Sequence, residues 1–226
     1  MRRQLKDSYI PKATKVGRTY DDFLSFTEEN NLSNWVEMDT VIGRIGGKVI
    51  LTFDFTFCNF MFGLLLDDKT SVQVTEKILL LKHVLTSRDI RFGDIFPVVL
   101  TDNGGEFANV AAIEYTLERF ESIQDKVKES FLFFCDPYQS SQKPKVEKNH
   151  TLFRDIVPKG KSFDDFTQST VDLIFSHINS VKRKSLNGKT PYEMFTFLHS
   201  EKIAALINIT LISADKVIQS PKLLNR

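Results

Sequence analysis

The chain has 226 residues, of which 42% are hydrophobic and 26% are charged, a composition typical of a globular protein and not of a disordered one. No run of about 18 apolar residues occurs and the first residues lack the apolar stretch of a signal peptide, which argues against a membrane span and a secretory leader. Two cysteines, Cys58 and Cys135, are too few for a disulfide scaffold or a zinc site. The net charge of +1 argues against a general electrostatic affinity of the whole molecule for nucleic acid.

Alternation, helical spacing and turn residues predict the following elements in chain order. They are a helix at Tyr20–Asn30, strands at Trp35–Ile42, Lys48–Asp54 and Asn59–Leu66, a helix at Thr70–Thr86, a strand at Phe96–Leu100, a helix at Val110–Ser122, a strand at Phe131–Cys135, and helices at Pro144–Val157, Phe163–Lys184 and Pro191–Leu198.

This order of elements predicts an α/β fold with a mixed five-stranded sheet flanked by helices. The short connections between the first three strands indicate an antiparallel meander, whereas the later strands alternate with helices. We therefore expect an N-terminal arm with a short helix at 1–34, a core domain at 35–199 and a C-terminal tail at 200–226.

Three acidic residues occupy positions from which their side chains can converge. Asp39 lies in the first strand, Asp102 directly follows the apolar strand Phe96–Leu100, and Glu147 lies on the helix after the last strand. Functional residues in open α/β sheets gather at such strand ends. Converging carboxylates are the oxygen ligands that hard divalent cations require, and two such ions can neutralise the attacking and leaving oxygens of a phosphodiester.

Four blocks of residues appear in a fixed order on these elements: Glu37–Gly43, Thr101–Phe107, Val146–His150 and Pro158–Gly160. Together they resemble the DDE transposases of the insertion-sequence-thirty family and, more broadly, the catalytic core of retroviral integrases. The resemblance covers roughly residues 16–198. An Asp-Asn-Gly tripeptide alone would indicate only a turn.

The resemblance implies a ribonuclease-H-like fold and a metal-dependent enzyme that cleaves and joins DNA strands during transposition. It implies that Asp39, Asp102 and Glu147 are the catalytic residues and the ligands of two Mg²⁺ ions, for which Mn²⁺ can substitute, with Asp39 shared between the ions. The implied partners are the DNA of the element ends and of the target, bound by a homodimer or a higher assembly. The expected location is the bacterial cytoplasm, at the nucleoid.

Basic and polar residues around Glu147 are candidates for DNA contacts, because lysine and arginine hold phosphates without reading the base sequence. The candidates are Lys143, Lys145, Lys148, Asn149, His150 and Arg154. For a basic cluster taken alone, a solvated surface is the better explanation, and for Asn149 and His150 a solvated helix face is an equally good one. Glu37 and Asp54 are weaker candidates for the site, with a structural role as the alternative.

The sequence also departs from the family pattern. Ser141 and Pro144 stand where the family usually has a tryptophan and a glycine, and a proline there would stiffen the loop. The helix-turn-helix region that usually precedes the core is not found, so we expect an excised domain or a truncated copy. Two alternatives therefore stay open: an impaired copy that only binds DNA or dimerises, and a ribonuclease-H-like nuclease without strand transfer.

The three acids also predict an effect on stability. Because carboxylates repel one another, neutralising any one of Asp39, Asp102 and Glu147 is expected to leave the stability of the protein without metal unchanged or to raise it.

Overall fold

The computed structural model describes residues 10–116 and 127–225. Its strands are β1 (Val36–Ile42), β2 (Val49–Phe55), β3 (Phe60–Leu66), β4 (Val98–Thr101) and β5 (Phe131–Phe134). They form one sheet in the order β3-β2-β1-β4-β5, in which β1–β2 and β2–β3 are antiparallel while β1–β4 and β4–β5 are parallel. The predicted mixed five-stranded sheet is therefore confirmed.

The helices are α1 (Tyr20–Glu29), α2 (Ser71–Thr86), α3 (Phe92–Ile95), α4 (Val110–Glu114), α5 (Pro144–Ile156), α6 (Gln168–Asn179), α7 (Pro191–His199) and α8 (Glu201–Leu206). Threonines begin three of them with capping boxes, in which the hydroxyl accepts from the backbone of the first turn. Pro144 and Pro191 each stand in a first turn, where the missing N–H costs nothing. These local signals explain why the starts of α5 and α7 agree with the prediction.

Helices cover both faces of the sheet. On β4 and β5, Leu100 and Phe133 pack in a small cluster with Phe23 of α1. Their neighbours Val99 and Leu132 belong to the main core on the opposite face, as alternation along a strand requires. The sheet is therefore buried from both sides, which matches the continuous apolar runs of its central strands.

The predicted helix Val110–Ser122 is wrong in its second part as far as the structure describes it. The helix α4 ends at Glu114, and Tyr115 is extended and forms an antiparallel bridge with Lys128. The rest of the predicted helix, 117–122, lies outside the described residues. Pairing with a distant segment overrides local helical spacing here.

The predicted helix Phe163–Lys184 is also longer than the observed one. Phe163 and Phe166 are buried in a turn before α6, so their apolar spacing came from core packing and not from a helix. Thr167 caps α6, and the helix ends at Asn179. The strand predicted at Phe96–Leu100 begins two residues later, because Phe96 ends the unpredicted short helix α3.

The segment predicted as a C-terminal tail packs against the main core. It contains α8, and Ala204, Ile209 and Leu223 are buried in the main hydrophobic cluster. The boundaries proposed for the arm, the core and the tail stay a prediction. In the described part of the chain, none of the helices combines the length and the apolar character needed to cross a membrane.

Candidate active site

Asp39 and Asp102 lie next to each other where the parallel pairing of β1 and β4 ends. In the parallel pair of β1 and β4, Met38 lies opposite Thr101, whose hydroxyl donates to the Met38 carbonyl oxygen over 3.0 Å. Asp39 directly follows Met38, and Asp102 directly follows Thr101. Two carboxylates placed this closely repel each other unless a cation lies between them.

The ammonium group of Lys143 contacts Asp39 and adds positive charge to this part of the site. Lys143 is the N-cap residue of α5, and its Nζ lies 3.2 Å from Asp39 Oδ2 and donates to the Met38 carbonyl oxygen over 3.2 Å. Its side chain is only 5% exposed. Burial alone would lower the pKa of Lys143, but the negative charges of Asp39 and Asp102 outweigh it and raise the pKa above its usual value. The metal-free site thus contains a charged ammonium beside the two carboxylates.

Asp39 is held in its ionised form. Burial opposes ionisation, but the positive charge of Lys143, helped by a 2.7 Å hydrogen bond from the Thr40 N–H, brings the pKa of Asp39 below its usual value. On the neighbouring strand, the Thr52 hydroxyl donates to the Asp39 carbonyl oxygen over 3.1 Å and lies 3.0 Å from His150 Nε2. Burial lowers the pKa of His150 to about 4, so this ring is neutral at neutral pH.

The loop that carries Asp102 is fixed to β1 through Glu106. Asp102 Oδ1 accepts from the Gly104 N–H over 2.9 Å. The buried carboxylate of Glu106 accepts from the Thr40 hydroxyl over 2.9 Å and pairs with Lys69 at 3.1 Å. A side chain at Gly104 would meet the Glu106 carboxylate, which would have to shift from its place beside Thr40 and Lys69. Sequence reasoning missed the role of Glu106, for which its place in the Thr101–Phe107 block was the only signal.

Glu147 lies in the first turn of α5 and is exposed to solvent. Across residues 10–116 and 127–225, no group of three or more acidic, histidine or cysteine side chains is arranged to hold a metal ion. The structure therefore brings Asp39 and Asp102 together around a cation but does not add Glu147 to them. The paired carboxylates fit a hard divalent cation by their chemistry, and the role of Glu147 as a third ligand stays a prediction.

Two buried acids beneath α5 hold the helix in place. Glu37 Oε2 accepts from the Val146 N–H over 2.7 Å, and Asp54 Oδ2 accepts from the Asn149 side-chain amide. Glu37 and Asp54 are direct partners in the β1–β2 pair, and the second oxygen of each lacks a hydrogen bond among the described residues. Burial, reinforced by the charge of Glu37, raises the pKa of Asp54 to about 7. Glu37 therefore anchors the backbone of the first turn of α5, and Asp54 anchors the side chain of Asn149 one turn further, so both acids have a structural part in the site.

The predicted DNA-contacting residues divide into an internal and an external group. Lys143 and Asn149 are buried, and their polar atoms contact Asp39 and Asp54. Arg154 is half-buried and donates to the Ile42 carbonyl oxygen over 2.8 Å, and His150 is engaged by Thr52 as described above. Lys148 is exposed and Lys145 partly so. Contact with DNA stays a prediction for all six, and only the last two offer an open cationic surface.

Sequence relatives support the predicted class of a transposase or integrase core. No family model matches the chain. It is 29% identical over 177 residues to the putative integrase ORF3 of Spiroplasma virus SpV1-R8A2 B, covering 77% of this chain and 50% of that protein. It is 30% identical over 160 residues to the transposase for insertion sequence element IS4351 of Bacteroides fragilis, covering 71% of this chain and 44% of that transposase.

A shorter match connects the chain with the predicted family itself. It is 35% identical over 63 residues to the transposase InsI for insertion sequence element IS30A of Escherichia coli (strain K12), covering 28% of this chain and 16% of that protein. The crystal structure of the catalytic core domain of BIV integrase aligns with a TM-score of 0.49 at 20% identity, covering 75% of this chain and 98% of that one. The predicted resemblance is confirmed: this chain is a relative of the transposases and integrases of mobile elements. It spans about half the length of the two relatives that it matches most broadly.

Proposed function

We propose that this chain is the catalytic core of a polynucleotidyl transferase that cleaves and joins DNA strands during transposition or integration. The observation that carries the proposal is the pair Asp39 and Asp102, which lie next to each other where the parallel pairing of β1 and β4 ends, with the ammonium group of Lys143 against Asp39. The relatives named transposase and integrase support the same reaction class. Substrates would be the DNA of the element ends and of the target, handled by two or more copies of the protein.

In this proposal Asp39 and Asp102, with Glu147 as the third ligand, would hold Mg²⁺ or Mn²⁺. Two such ions would supply charge neutralisation at the attacking and leaving oxygens of the phosphodiester. Glu37 binds the backbone N–H of Val146 and Asp54 binds the side-chain amide of Asn149, so both acids anchor the part of α5 that carries Glu147. On the same helix, the exposed cationic groups of Lys145 and Lys148 hold DNA phosphates.

The proposal is tested with Asp39→Asn, Asp102→Asn and Glu147→Gln in assays of end cleavage and of strand transfer from a pre-cleaved DNA end. Each variant should lose nearly all of both activities, because each removes the charge of a metal ligand. Asp155→Asn is the matched control, since Asp155 is an exposed acid near the end of α5. Activity near that of the wild type in any one of the three variants would remove that residue from the catalytic set.

Two other functions are separated by the same assays. Cleavage without joining of the pre-cleaved end would indicate a ribonuclease-H-like nuclease. A protein that binds DNA without cleaving it in Mg²⁺ or Mn²⁺ would be an impaired copy acting only as a binding or dimerisation module. The exposed position of Glu147 is the specific observation that favours this last alternative.

A further inference from the structure

We propose that Lys143 sets the metal affinity of this site, because in the metal-free protein its ammonium group occupies the position beside Asp39 and Asp102 that a divalent ion must enter. The inference rests on the proposed metal-dependent function. It makes metal binding an exchange of cations, in which the side chain of Lys143 has to leave before the ion can bind.

The geometry of Lys143 supports an exchange and not coexistence. Its Nζ lies 3.2 Å from Asp39 Oδ2 and 3.2 Å from the Met38 carbonyl oxygen, beneath the start of α5. A Mg²⁺ ion binds a carboxylate oxygen at about 2.0–2.1 Å and keeps further oxygen ligands around it. Both cations would therefore compete for the same carboxylate, and their positive charges would repel each other at so short a separation.

The contacts around the ammonium group show that Lys143 is an integral, buried part of the site. Lys143 is buried while the other two lysines of this helix region, Lys145 and Lys148, have exposed surface. A buried lysine is retained where its charge is compensated, and Asp39 provides that compensation here. Because Lys143 is the N-cap residue of α5, its side chain can swing outward without unfolding the helix that follows.

The direct test measures Mn²⁺ affinity by calorimetry or by the electron paramagnetic resonance of free Mn²⁺. Lys143→Met keeps the length and the apolar stem of the side chain but removes the competing charge. We expect it to bind Mn²⁺ about tenfold more tightly than the wild type, which corresponds to about 1.4 kcal/mol. Lys143→Arg, which keeps the charge, should stay close to the wild type, and so should Lys148→Met, the matched control on the same helix.

The outcomes separate this inference from the proposed function. Unchanged or weaker Mn²⁺ binding by Lys143→Met, with binding lost in Asp39→Asn, would overturn the exchange while leaving the metal site intact. Binding by Lys143→Met but not by the wild type would support the exchange in its strongest form. Absence of binding in all variants and in the wild type would overturn both the exchange and the metal-dependent function.

A second measurement uses the wild-type protein and does not depend on the folding of a variant. Amine-reactive labelling followed by mass spectrometry reports how accessible each lysine is. Lys143 should be protected without metal and should approach the labelling level of Lys148 when Mg²⁺ is added. Protection that persists at saturating Mg²⁺ would show that the ammonium stays in place and would overturn the exchange.

Discussion

Replacing Asp39 with asparagine should destabilise the metal-free protein, although repulsion among the acids considered alone predicts the opposite. The carboxylate of Asp39 lies 3.2 Å from the Nζ of Lys143, whose side chain is 5% exposed, while that of Asp39 is 19% exposed. The asparagine side chain would be neutral, so the buried ammonium would keep only the neighbouring charge of Asp102 as compensation. The expectation of unchanged or raised stability, which rested on repulsion alone, is therefore replaced for this position.

The size of the effect follows from how deeply the pair is buried. Breaking a fully buried ion pair costs about 3–5 kcal/mol, whereas an exposed pair contributes about 0–1 kcal/mol. The pair of Asp39 and Lys143 is intermediate, and relief of the repulsion from Asp102 offsets part of the loss. We expect a loss of about 2 kcal/mol, which corresponds to a fall of about 1 M in the urea midpoint.

The pH dependence gives this prediction a second readout. The pKa of Asp39 lies below its usual value in the folded protein, so its contribution is present above the unfolded-state pKa and is lost as the pH falls through the folded-state pKa. The difference between the wild type and Asp39→Asn should therefore be full at pH 7 and shrink in acid.

The assay is urea unfolding in the presence of a chelator, followed by the fluorescence of Trp35. Glu147→Gln is the control, because Glu147 is exposed and should change the stability by less than about 0.5 kcal/mol. If Asp39→Asn were as stable as the wild type at pH 7, or more stable, Lys143 would not depend on Asp39 and the reasoning would be refuted.

Three further predictions test the metal, the core and the DNA surface. Mg²⁺ or Mn²⁺ should raise the melting temperature of the wild type by mass action, and Asp39→Asn should lose most of that shift; equal shifts in both proteins would place the metal elsewhere. Gly63→Ala should cost about 1–3 kcal/mol in chemical unfolding, because its new Cβ would lie 2.5 Å from a ring carbon of Phe175, and an unchanged midpoint would contradict this. Replacing Lys145 and Lys148 together with alanine should weaken binding to all DNA sequences alike and flatten the salt dependence by about 0.9 for each lost phosphate contact, which titrations at several salt concentrations measure.

Much of the fold could be predicted because local signals and packing agree along most of the chain. The run Val49–Phe55 is buried along its whole length, and its apolar, β-branched and aromatic residues already predicted a strand. Where prediction failed, tertiary contacts overrode the local pattern. Glu114 ends α4 and its carboxylate accepts from Arg18 and from the Leu132 N–H, so the chain leaves the helix to join the β5 side of the sheet. The apolar spacing within residues 110–122 contains no information about the hydrogen bond between Glu114 and Arg18, which lie 96 positions apart in the sequence.

The candidate site was predictable in part for the same reason. Asp39 was predicted within the first strand and Asp102 directly after a later strand, and the parallel pairing of these two strands places the two residues next to each other. The pairing of Lys143 with Asp39 was not predictable, because helical spacing says only which residues share a face of α5 and nothing about an N-cap side chain that turns inward. A lysine in a basic cluster of the sequence is predicted to be a surface charge, and only the structure shows whether it is buried.

Burial of cations also changes what the net charge of +1 means for DNA binding. Lys82 pairs with Glu129 at 2.8 Å and Lys143 with Asp39 at 3.2 Å, both with nearly buried side chains, so these charges cancel inside the protein and add little to its external field. The positive surface available to phosphates on α5 is accordingly smaller than the sequence cluster around Glu147 indicates. Phosphate contacts carry no base readout, so a core with few of them should associate with DNA weakly and with little sequence preference. Recognition of particular DNA ends would then have to come from other surfaces or from partner molecules. Cation exchange at Lys143 would take place after the core has bound the DNA.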